Sequence, residues 1–179
     1  KVGGRTFLEI GKEVCPQAAA VVCIGNCATY GGIQAAAPNP GGYKGVGAAL
    51  GLKTVNLPGC PPNPINLVGT IVNYLLMGRL PELDALNRPK VFFGESIHDR
   101  CYRRPFYERG QFAETFDDEG ARKGWCLFKL GCKGPVTYNA CATAKWNEGT
   151  SFPIEAGHGC IGCSEPAFWD KGGFYDALS

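Results

Sequence analysis

The chain has 179 residues, a formal net charge of +2 at neutral pH and 45% hydrophobic residues. Such a hydrophobic content is typical of a globular protein and excludes an intrinsically disordered chain. The small net charge argues against a nucleic-acid partner, which needs a clustered basic surface. The most apolar run, 65–78, is too short and too polar to span a bilayer, and the first residues lack the pattern of a signal peptide. Because the sequence opens in mid-pattern without an initiator Met, we expect further residues upstream.

Two short strands are predicted in the first half of the chain. The runs "AAAVVCIGN" (18–26) and "KTVNLPGC" (53–60) are apolar and contain β-branched residues, which is typical of buried parallel strands. Each run ends in a loop that begins with a glycine or a proline. The pattern predicts an α/β class, with part of a doubly wound parallel sheet over residues 1–83.

Two helices accompany these strands. The apolar spacing of 6–18 predicts an amphipathic helix, and a second helix is predicted over 63–81. Asn63 is suited to cap this second helix, Pro64 to occupy its first turn, and Gly78 to end it.

The second half of the chain has a different composition. Residues 83–90 read as a connector, and from Val91 onward the hydrophobic periodicity is lost among Gly- and Pro-rich loops. A segment with so little regular structure is poorly stabilised by core burial alone. Metal–ligand bonds contribute folding free energy directly, so we predict a metal-stabilised second domain over 84–179.

The cysteines and histidines of this half form two groups. There are ten cysteines and only two histidines in the chain. The four-donor group consists of His98, Cys101, Cys126 and Cys132. The three-donor group consists of Cys141, Cys160 and Cys163. Disulfides have no use for a histidine, whereas metals do, so the pattern predicts metal sites.

Thiolate and imidazole donors suit either zinc or iron–sulfur clusters. A structural zinc site wants four ligands, whereas a cuboidal cluster that lacks one iron needs three thiolates. His158 could complete a zinc site with the three-donor group, although it lies so close to Cys160 that shared chelation is cramped. On spacing alone, two structural zinc sites in a binding module without a redox role remain an alternative. Aromatic residues are available to surround the metals with apolar bulk, which is one of the ways in which proteins set cluster potentials. They are Phe106, Trp125, Phe128, Trp146, Phe152 and Trp169.

Cysteines also occur in the predicted α/β half. Cys27 and Cys60 each follow the end of a predicted strand, which is where ligands gather in parallel sheets. Cys15 on the first helix and Cys23 within the first strand are most simply core thiols, with a disulfide between them as the alternative.

Several motifs together resemble one known family. They are "IGNCATYGGIQAAAPNP", "NLPGCPPNPIN", "IHDRC", "KGWCLFKLGCKGPVTYNAC" and "AGHGCIGCSEPAFWD". In this order they resemble the small, electron-transfer subunit of nickel–iron hydrogenases over residues 14–176, and the stretches "RRPFYERGQF" and "KGGFYDALS" resemble its membrane-associated uptake group. The resemblance implies a flavodoxin-like sheet domain over 1–83, cut short at its N-terminal side, and an irregular iron–sulfur domain over 84–179.

The resemblance also implies three clusters. The four-donor group would hold a distal [4Fe-4S] cluster near the surface, and the three-donor group a medial [3Fe-4S] cluster, with Pro153 where a fourth ligand would otherwise lie. A proximal [4Fe-4S] cluster would take Cys27 and Cys60, together with two cysteines of an upstream C-x-x-C segment that is missing from this sequence. Cys15 and Cys23 have no role in this scheme.

The same resemblance implies partners and a location. A separate large subunit would hold the nickel–iron centre and split hydrogen, and a cytochrome-type protein would accept the electrons. The basic run of Arg100, Arg103 and Arg104 would face that acceptor, or else be a solvated loop. The location would be periplasmic and membrane-associated. Gly32 stands where oxygen-tolerant members have an extra cysteine, which predicts a conventional proximal cluster and inactivation by oxygen.

Overall fold

Residues 1–170 and 173–178 are described in the structure, a computed structural model. The chain divides into two compact units, 1–89 and 90–179. In the described residues, no helix combines the length and the apolar character that crossing a membrane requires.

The first helix of the first unit begins at a well-formed cap. Helix α1 runs over Phe7–Val14, and a 3₁₀ turn, Cys15–Gln17, follows it. The Thr6 hydroxyl accepts a hydrogen bond from the Glu9 amide, and the Glu9 carboxylate accepts one from the Thr6 amide. This reciprocal pair satisfies two amide groups that the helix itself leaves without partners, so the predicted helix starts where its sequence directs.

The centre of this unit is a two-stranded parallel sheet. Strand β1 (Val22–Ile24) pairs with β2 (Val55–Leu57), so that Cys23 lies opposite Asn56. β2 is buried along its whole length. Helix α2 (Gly25–Tyr30) follows β1 directly, and the short helix α3 (Val46–Leu50) precedes β2. The predicted strands and the α/β class are confirmed, although both strands are only three residues long.

Helix α4 (Pro64–Met77) begins and ends at the residues that its sequence indicates. The side chain of Asn63 accepts a hydrogen bond from the Ile65 amide at 3.0 Å. At the other end, Gly78 adopts φ 64°, the left-handed conformation that glycine tolerates best. Local capping chemistry is enough to set both ends of this helix.

The connector between the units is an ordered turn. Leu83 and Pro89 form a backbone bridge, and the Asp84 carboxylate accepts hydrogen bonds from the amides of Leu86 and Arg88. The guanidinium of Arg88, which is buried, donates to the same carboxylate at 2.7 Å. Because Asn56 bonds to the carbonyls of residues 86 and 87, the turn belongs to the first unit. The boundary in the structure therefore falls after Pro89, a few residues later than the predicted one at 83/84.

The second unit consists of short helical segments joined by turns. Its α-helices are α5 (Lys90–Phe93), α6 (Arg104–Glu108), α7 (Glu119–Arg122) and α8 (Cys141–Ala144). Its 3₁₀ turns are His98–Arg100, Phe128–Leu130 and Gly134–Val136. Its core packs Ile97, Leu127 and Phe152 against the buried thiols of Cys132 and Cys160. Cysteines are thus part of the core of a unit with little regular structure.

Asp84→Ala should lower the free energy of unfolding by about 3 kcal/mol, because the substitution removes the carboxylate that pairs with the buried Arg88 guanidinium. Asp84→Asn keeps an oxygen acceptor for the two loop amides and should cost less. Denaturant unfolding of the two variants measures the difference. Equal losses would contradict this expectation, because they would show that the charge pair, which both variants lose, accounts for the whole effect and the amide hydrogen bonds for none of it.

Candidate metal centres

The four donors of the four-donor group line a single pocket. This pocket has about 320 Å³ of empty space, part of it continuous with solvent. Its remaining lining includes Leu127, Phe128, Pro135, Ile154 and two arginines. One imidazole and three thiols therefore face a common space with largely apolar walls.

Local backbone structure places His98 and Cys101 side by side. His98 opens a 3₁₀ turn, and the Cys101 amide donates to the His98 carbonyl at 3.2 Å. Residues three apart lie on the same side of a 3₁₀ turn, so the short spacing brings both donors to one face. The Asp99 carboxylate between them accepts from the amide and the hydroxyl of Ser96, which fixes the start of the turn.

Backbone hydrogen bonds also position the other two donors of this pocket. The Cys126 amide donates to the Gln111 carbonyl, and the Cys126 carbonyl accepts from the Ala113 amide at 3.0 Å. Cys132 follows a 3₁₀ turn and donates its amide to the Leu127 carbonyl at 3.3 Å. The pairings of Cys126 join segments that are distant along the chain, whereas Cys132 is placed by its own local turn.

Burial determines the protonation of these donors in the absence of a metal. It raises the pKa of the Cys101, Cys126 and Cys132 thiols, so that they stay protonated at neutral pH. A coordinating metal would displace those protons and stabilise the thiolates in the same place. Burial, and then the charge of Arg104, lower the pKa of His98, which keeps its imidazole neutral, the form that binds metals. As pH falls through that pKa, protons compete for the imidazole and the site loses this donor.

The three-donor group is more deeply buried. Cys141 opens α8 at 7% exposure, and Cys160 is 9% exposed. Burial raises the pKa of Cys141 to about 12, and the charge of Cys163 adds to this rise. Burial also raises the pKa of Cys160, with Cys163 again among the causes. Cys141 and Cys160 thus lie in one core, and the charge of Cys163 acts on both thiols.

An indole beside this group lacks a partner. The Nε1 atom of Trp146 is buried and forms no hydrogen bond to the described protein. The indole approaches the Cys141 thiol as a weak donor, which offsets part of the burial that raises the pKa of that thiol, although the contact falls short of a well-formed hydrogen bond. A buried donor without an acceptor is costly, and a cluster sulfide or a thiolate would satisfy it. The orphaned atom fits an iron–sulfur cluster held by the three-donor group.

The two groups are joined through one peptide segment. The Cys160 amide donates to the Cys132 sulfur at 3.3 Å, and the Gly162 amide donates to the Cys160 sulfur at 3.4 Å. At Gly159 an added Cβ would lie 3.0 Å from the Cys132 backbone, so a larger residue would separate the groups. Amide-to-sulfur hydrogen bonds are a known means of tuning clusters.

The pair Cys27 and Cys60 lies in the first unit. Cys27 is in α2, Cys60 follows β2, and both are exposed. Burial first and then the charge of Cys27 raise the pKa of Cys60. The Asn26 amide donates to the Gly59 carbonyl at 2.9 Å and fastens the two segments together. The pair therefore offers two donors on an exposed face.

Within residues 1–170 and 173–178, no three His, Cys, Asp or Glu side chains converge closely enough to share one metal ion. In an iron–sulfur cluster, each ligand binds to a cluster iron of its own, so the ligands surround a pocket rather than a point. The arrangement around the four-donor pocket has that form.

Some sequence expectations need correction. Arg103 was predicted to belong to an exposed basic run, yet it is 5% exposed. The spacing of the three arginines does not indicate this burial, because the burial depends on contacts with residues that are distant in sequence. Cys15 was expected in the core and is only half-buried, whereas Cys23 is 2% exposed. Both are free thiols.

The other expected residues have mixed placements. His158 packs between the rings of Phe116 and Tyr175, and its Nδ1 lies 2.8 Å from the Gly159 carbonyl oxygen. Pro153 is exposed and follows the buried Phe152. Among the predicted aromatic residues, Phe128 lines the four-donor pocket, and Phe152 and Trp146 pack with the cysteines of the core.

Two family models match the chain. The model described as the C-terminal part of the NiFe/NiFeSe hydrogenase small subunit matches residues 93–176. A second model, for the 20 kDa subunit of NADH ubiquinone oxidoreductase, matches residues 2–74. The two matches fall on either side of the connector.

Known relatives and solved structures extend this likeness over the whole chain. The uptake hydrogenase small subunit of Azotobacter vinelandii is 56% identical over 99% of this chain and 50% of its own length. The periplasmic [NiFe] hydrogenase small subunit 1 of Nitratidesulfovibrio vulgaris is 55% identical, with 57% of its length covered. The chain thus spans about half the length of these curated relatives. A [NiFeSe] hydrogenase structure from Desulfomicrobium baculatum matches 99% of this chain and 67% of its own, with 40% identity and a TM-score of 0.86.

Gly32→Ala should destabilise the protein more than Gly42→Ala, by about 1–3 kcal/mol. Both glycines have φ 61°, so the backbone strain is shared. An added Cβ at position 32 would lie 2.5 Å from the Cys27 sulfur, whereas at position 42 nothing lies within 4 Å. Thermal unfolding of both variants measures the difference, and equal shifts would mean that Cys27 yields its position without cost.

Proposed function

Because this chain belongs to the family of NiFe/NiFeSe hydrogenase small subunits, we propose that it carries electrons from hydrogen oxidation in a separate large subunit to an external acceptor. The observation that carries this proposal is the convergence of His98, Cys101, Cys126 and Cys132 on one pocket. Soft sulfur donors and a neutral imidazole in apolar surroundings suit an iron–sulfur cluster.

The proposed ligand sets follow the three places where donors gather. His98, Cys101, Cys126 and Cys132 would hold a distal [4Fe-4S] cluster. Cys141, Cys160 and Cys163 would hold a medial [3Fe-4S] cluster. Cys27 and Cys60 would hold half of a proximal [4Fe-4S] cluster, completed by two cysteines of a C-x-x-C segment in the full-length protein. When bound, these clusters supply sites that accept and release single electrons.

In this function the protein would hold the clusters, bury them and fix the distance between them. Burial lowers the local dielectric, and hydrogen bonds from the amides of residues 160 and 162 reach the sulfurs of Cys132 and Cys160. The same segment links the proposed medial and distal ligands, so their separation is set by a short stretch of backbone. A fixed separation is what transfer between two redox centres requires.

The proposed partners follow from the family and from the surface. The large subunit would hold the nickel–iron centre and form a heterodimer with this chain. A cytochrome-type protein would accept electrons at His98, which is half-buried beside the exposed Arg100 and Arg104. Both arginines already pair with carboxylates of the chain, so any steering of the acceptor would be modest and weakened by salt.

We place the complex on the periplasmic side of the membrane, in association with it. Two relatives are named periplasmic [NiFe] hydrogenase small subunits, and several are named uptake hydrogenase small subunits. Gly32 in place of an additional cysteine supports a conventional proximal cluster and inactivation by oxygen. Sustained hydrogen oxidation in air would contradict that part of the proposal.

The purified heterodimer should be brown and contain iron and acid-labile sulfide, because thiolate-bound clusters absorb broadly in the visible range. Reduction with dithionite should bleach that absorption. Metal and sulfide analysis measures the composition, and visible spectra recorded under anaerobic conditions measure the absorption and its loss on reduction. A colourless protein that contains zinc would instead establish a metal-stabilised binding module.

His98→Gly should slow electron delivery to an external acceptor by about tenfold or more, since loss of even an outer-shell partner of a metal ligand costs about that much. The rate of hydrogen activation in the large subunit, measured by hydrogen–deuterium exchange, should be unchanged. His98→Cys is the matched control, because a thiolate can replace the imidazole as a ligand. Unchanged electron delivery in His98→Gly would show that electrons leave elsewhere.

A further inference from the structure

Arg103 differs from the arginines next to it in sequence. Arg100 and Arg104 are exposed, and each forms an ion pair with a carboxylate, Glu95 and Glu108 respectively. Arg103 is 5% exposed. Burying a guanidinium is unfavourable unless hydrogen bonds and an opposite charge compensate it.

The hydrogen bonds of Arg103 go to neutral acceptors. Its Nε donates to the Tyr102 hydroxyl at 2.7 Å, and its Nη1 donates to the Trp125 carbonyl at 2.8 Å. The Tyr102 hydroxyl in turn donates to the Ile154 carbonyl. Over residues 1–170 and 173–178, no carboxylate forms an ion pair with Arg103. These contacts, together with the Tyr102 ring whose centroid lies 5.4 Å from the guanidinium carbon, hold the side chain in place but supply no opposite charge.

Arg103 is also a wall residue of the four-donor pocket. Arg103 lines this pocket together with His98, Cys101, Cys126 and Cys132. Its backbone amide also donates to the Cys101 sulfur at 3.4 Å. A group of net negative charge in the pocket would therefore supply the missing compensation.

We propose that the buried positive charge of Arg103 balances the negative charge of the thiolate-bound cluster in the four-donor pocket. Arg103 would thereby raise the reduction potential of that cluster without binding to it. The inference rests on the proposed function, because it takes the cluster as bound. It does not depend on which protein accepts the electrons.

The physical reason lies in the charge that reduction adds. One-electron reduction makes the cluster more negative by one charge, so a nearby cation stabilises the reduced form more than the oxidised form. The interaction is strong where water is excluded, because the local dielectric is low. Net charge and hydrogen bonding to sulfur are recognised determinants of cluster potential. Electrons would thus collect at the exit end of the chain of clusters.

Three variants of the heterodimer test this proposal. Arg103→Gln removes the charge and keeps a polar side chain. Arg103→Lys keeps the charge but has a different hydrogen-bonding shape. Arg109→Gln removes an exposed arginine of the same unit that does not line the pocket. The reduction potential of the distal cluster is measured by an anaerobic redox titration monitored by electron paramagnetic resonance. Iron content is measured in parallel.

Arg103→Gln should shift the one-electron reduction equilibrium toward the oxidised form about tenfold, which corresponds to a potential about 59 mV lower. Arg103→Lys should keep most of the wild-type potential, and Arg109→Gln should leave it unchanged. Loss of distal iron in Arg103→Gln with retention in Arg103→Lys would also support the proposal, since the charge would then be needed for binding.

Other outcomes would overturn it. An intact cluster with unchanged potential in Arg103→Gln would leave Arg103 with a purely structural role. Equal shifts, or equal loss of iron, in the Gln and Lys variants would assign the effect to its hydrogen bonds rather than to its charge. A wild-type heterodimer without a four-iron cluster would instead refute the proposed function, before any variant is compared.

Discussion

The second unit depends on buried thiols. Burial disfavours their charged thiolate form, and the protein offers few groups that stabilise it. Burial raises the pKa of Cys132, Cys141 and Cys160, and these residues lie in the same core as Ile97 and Leu127. A core with this composition gains little from the thiols alone, because each is a small hydrophobic group. With metal bound, each thiolate becomes part of a covalent crosslink between turns that are distant in sequence. The scarcity of regular structure and the density of cysteine are therefore two aspects of one constraint.

The same constraint connects stability with electron transfer. The segment from Gly159 to Gly162 contributes a core thiol, an amide that donates to the Cys132 sulfur and a close backbone approach that excludes a side chain at position 159. Movement of this segment would alter both donor groups at once. We infer that the short loop which stabilises the core also sets the distance between the proposed clusters, so neither property can change independently of the other.

Sequence reasoning was strongest where the determinants are local. The caps at Asn63 and Gly78 act within one turn of helix, and the predicted ends of α4 are confirmed for that reason. The association of His98 with Cys101 follows from a short turn. The arrival of Cys126 at the same pocket requires pairing with residues 111–113, which spacing alone does not indicate. The roles of these residues as ligands stay predictions.

Arg103 shows where a reading of sequence alone fails, and why the failure is informative. Three arginines within five residues indicate a basic surface, and two of them do lie on the surface with carboxylate partners. The third is drawn inward by the hydroxyl of Tyr102 and the carbonyl of Trp125, the latter from a segment far along the chain. Water would solvate that charge at lower cost, so the fold accepts a penalty that its own hydrogen bonds only partly offset. A buried cation without a carboxylate, beside a pocket lined by three thiols, becomes stable when the pocket holds negative charge. The position of this single side chain thus argues that the sulfur donors of the pocket act as part of a negatively charged group and not as neutral thiols.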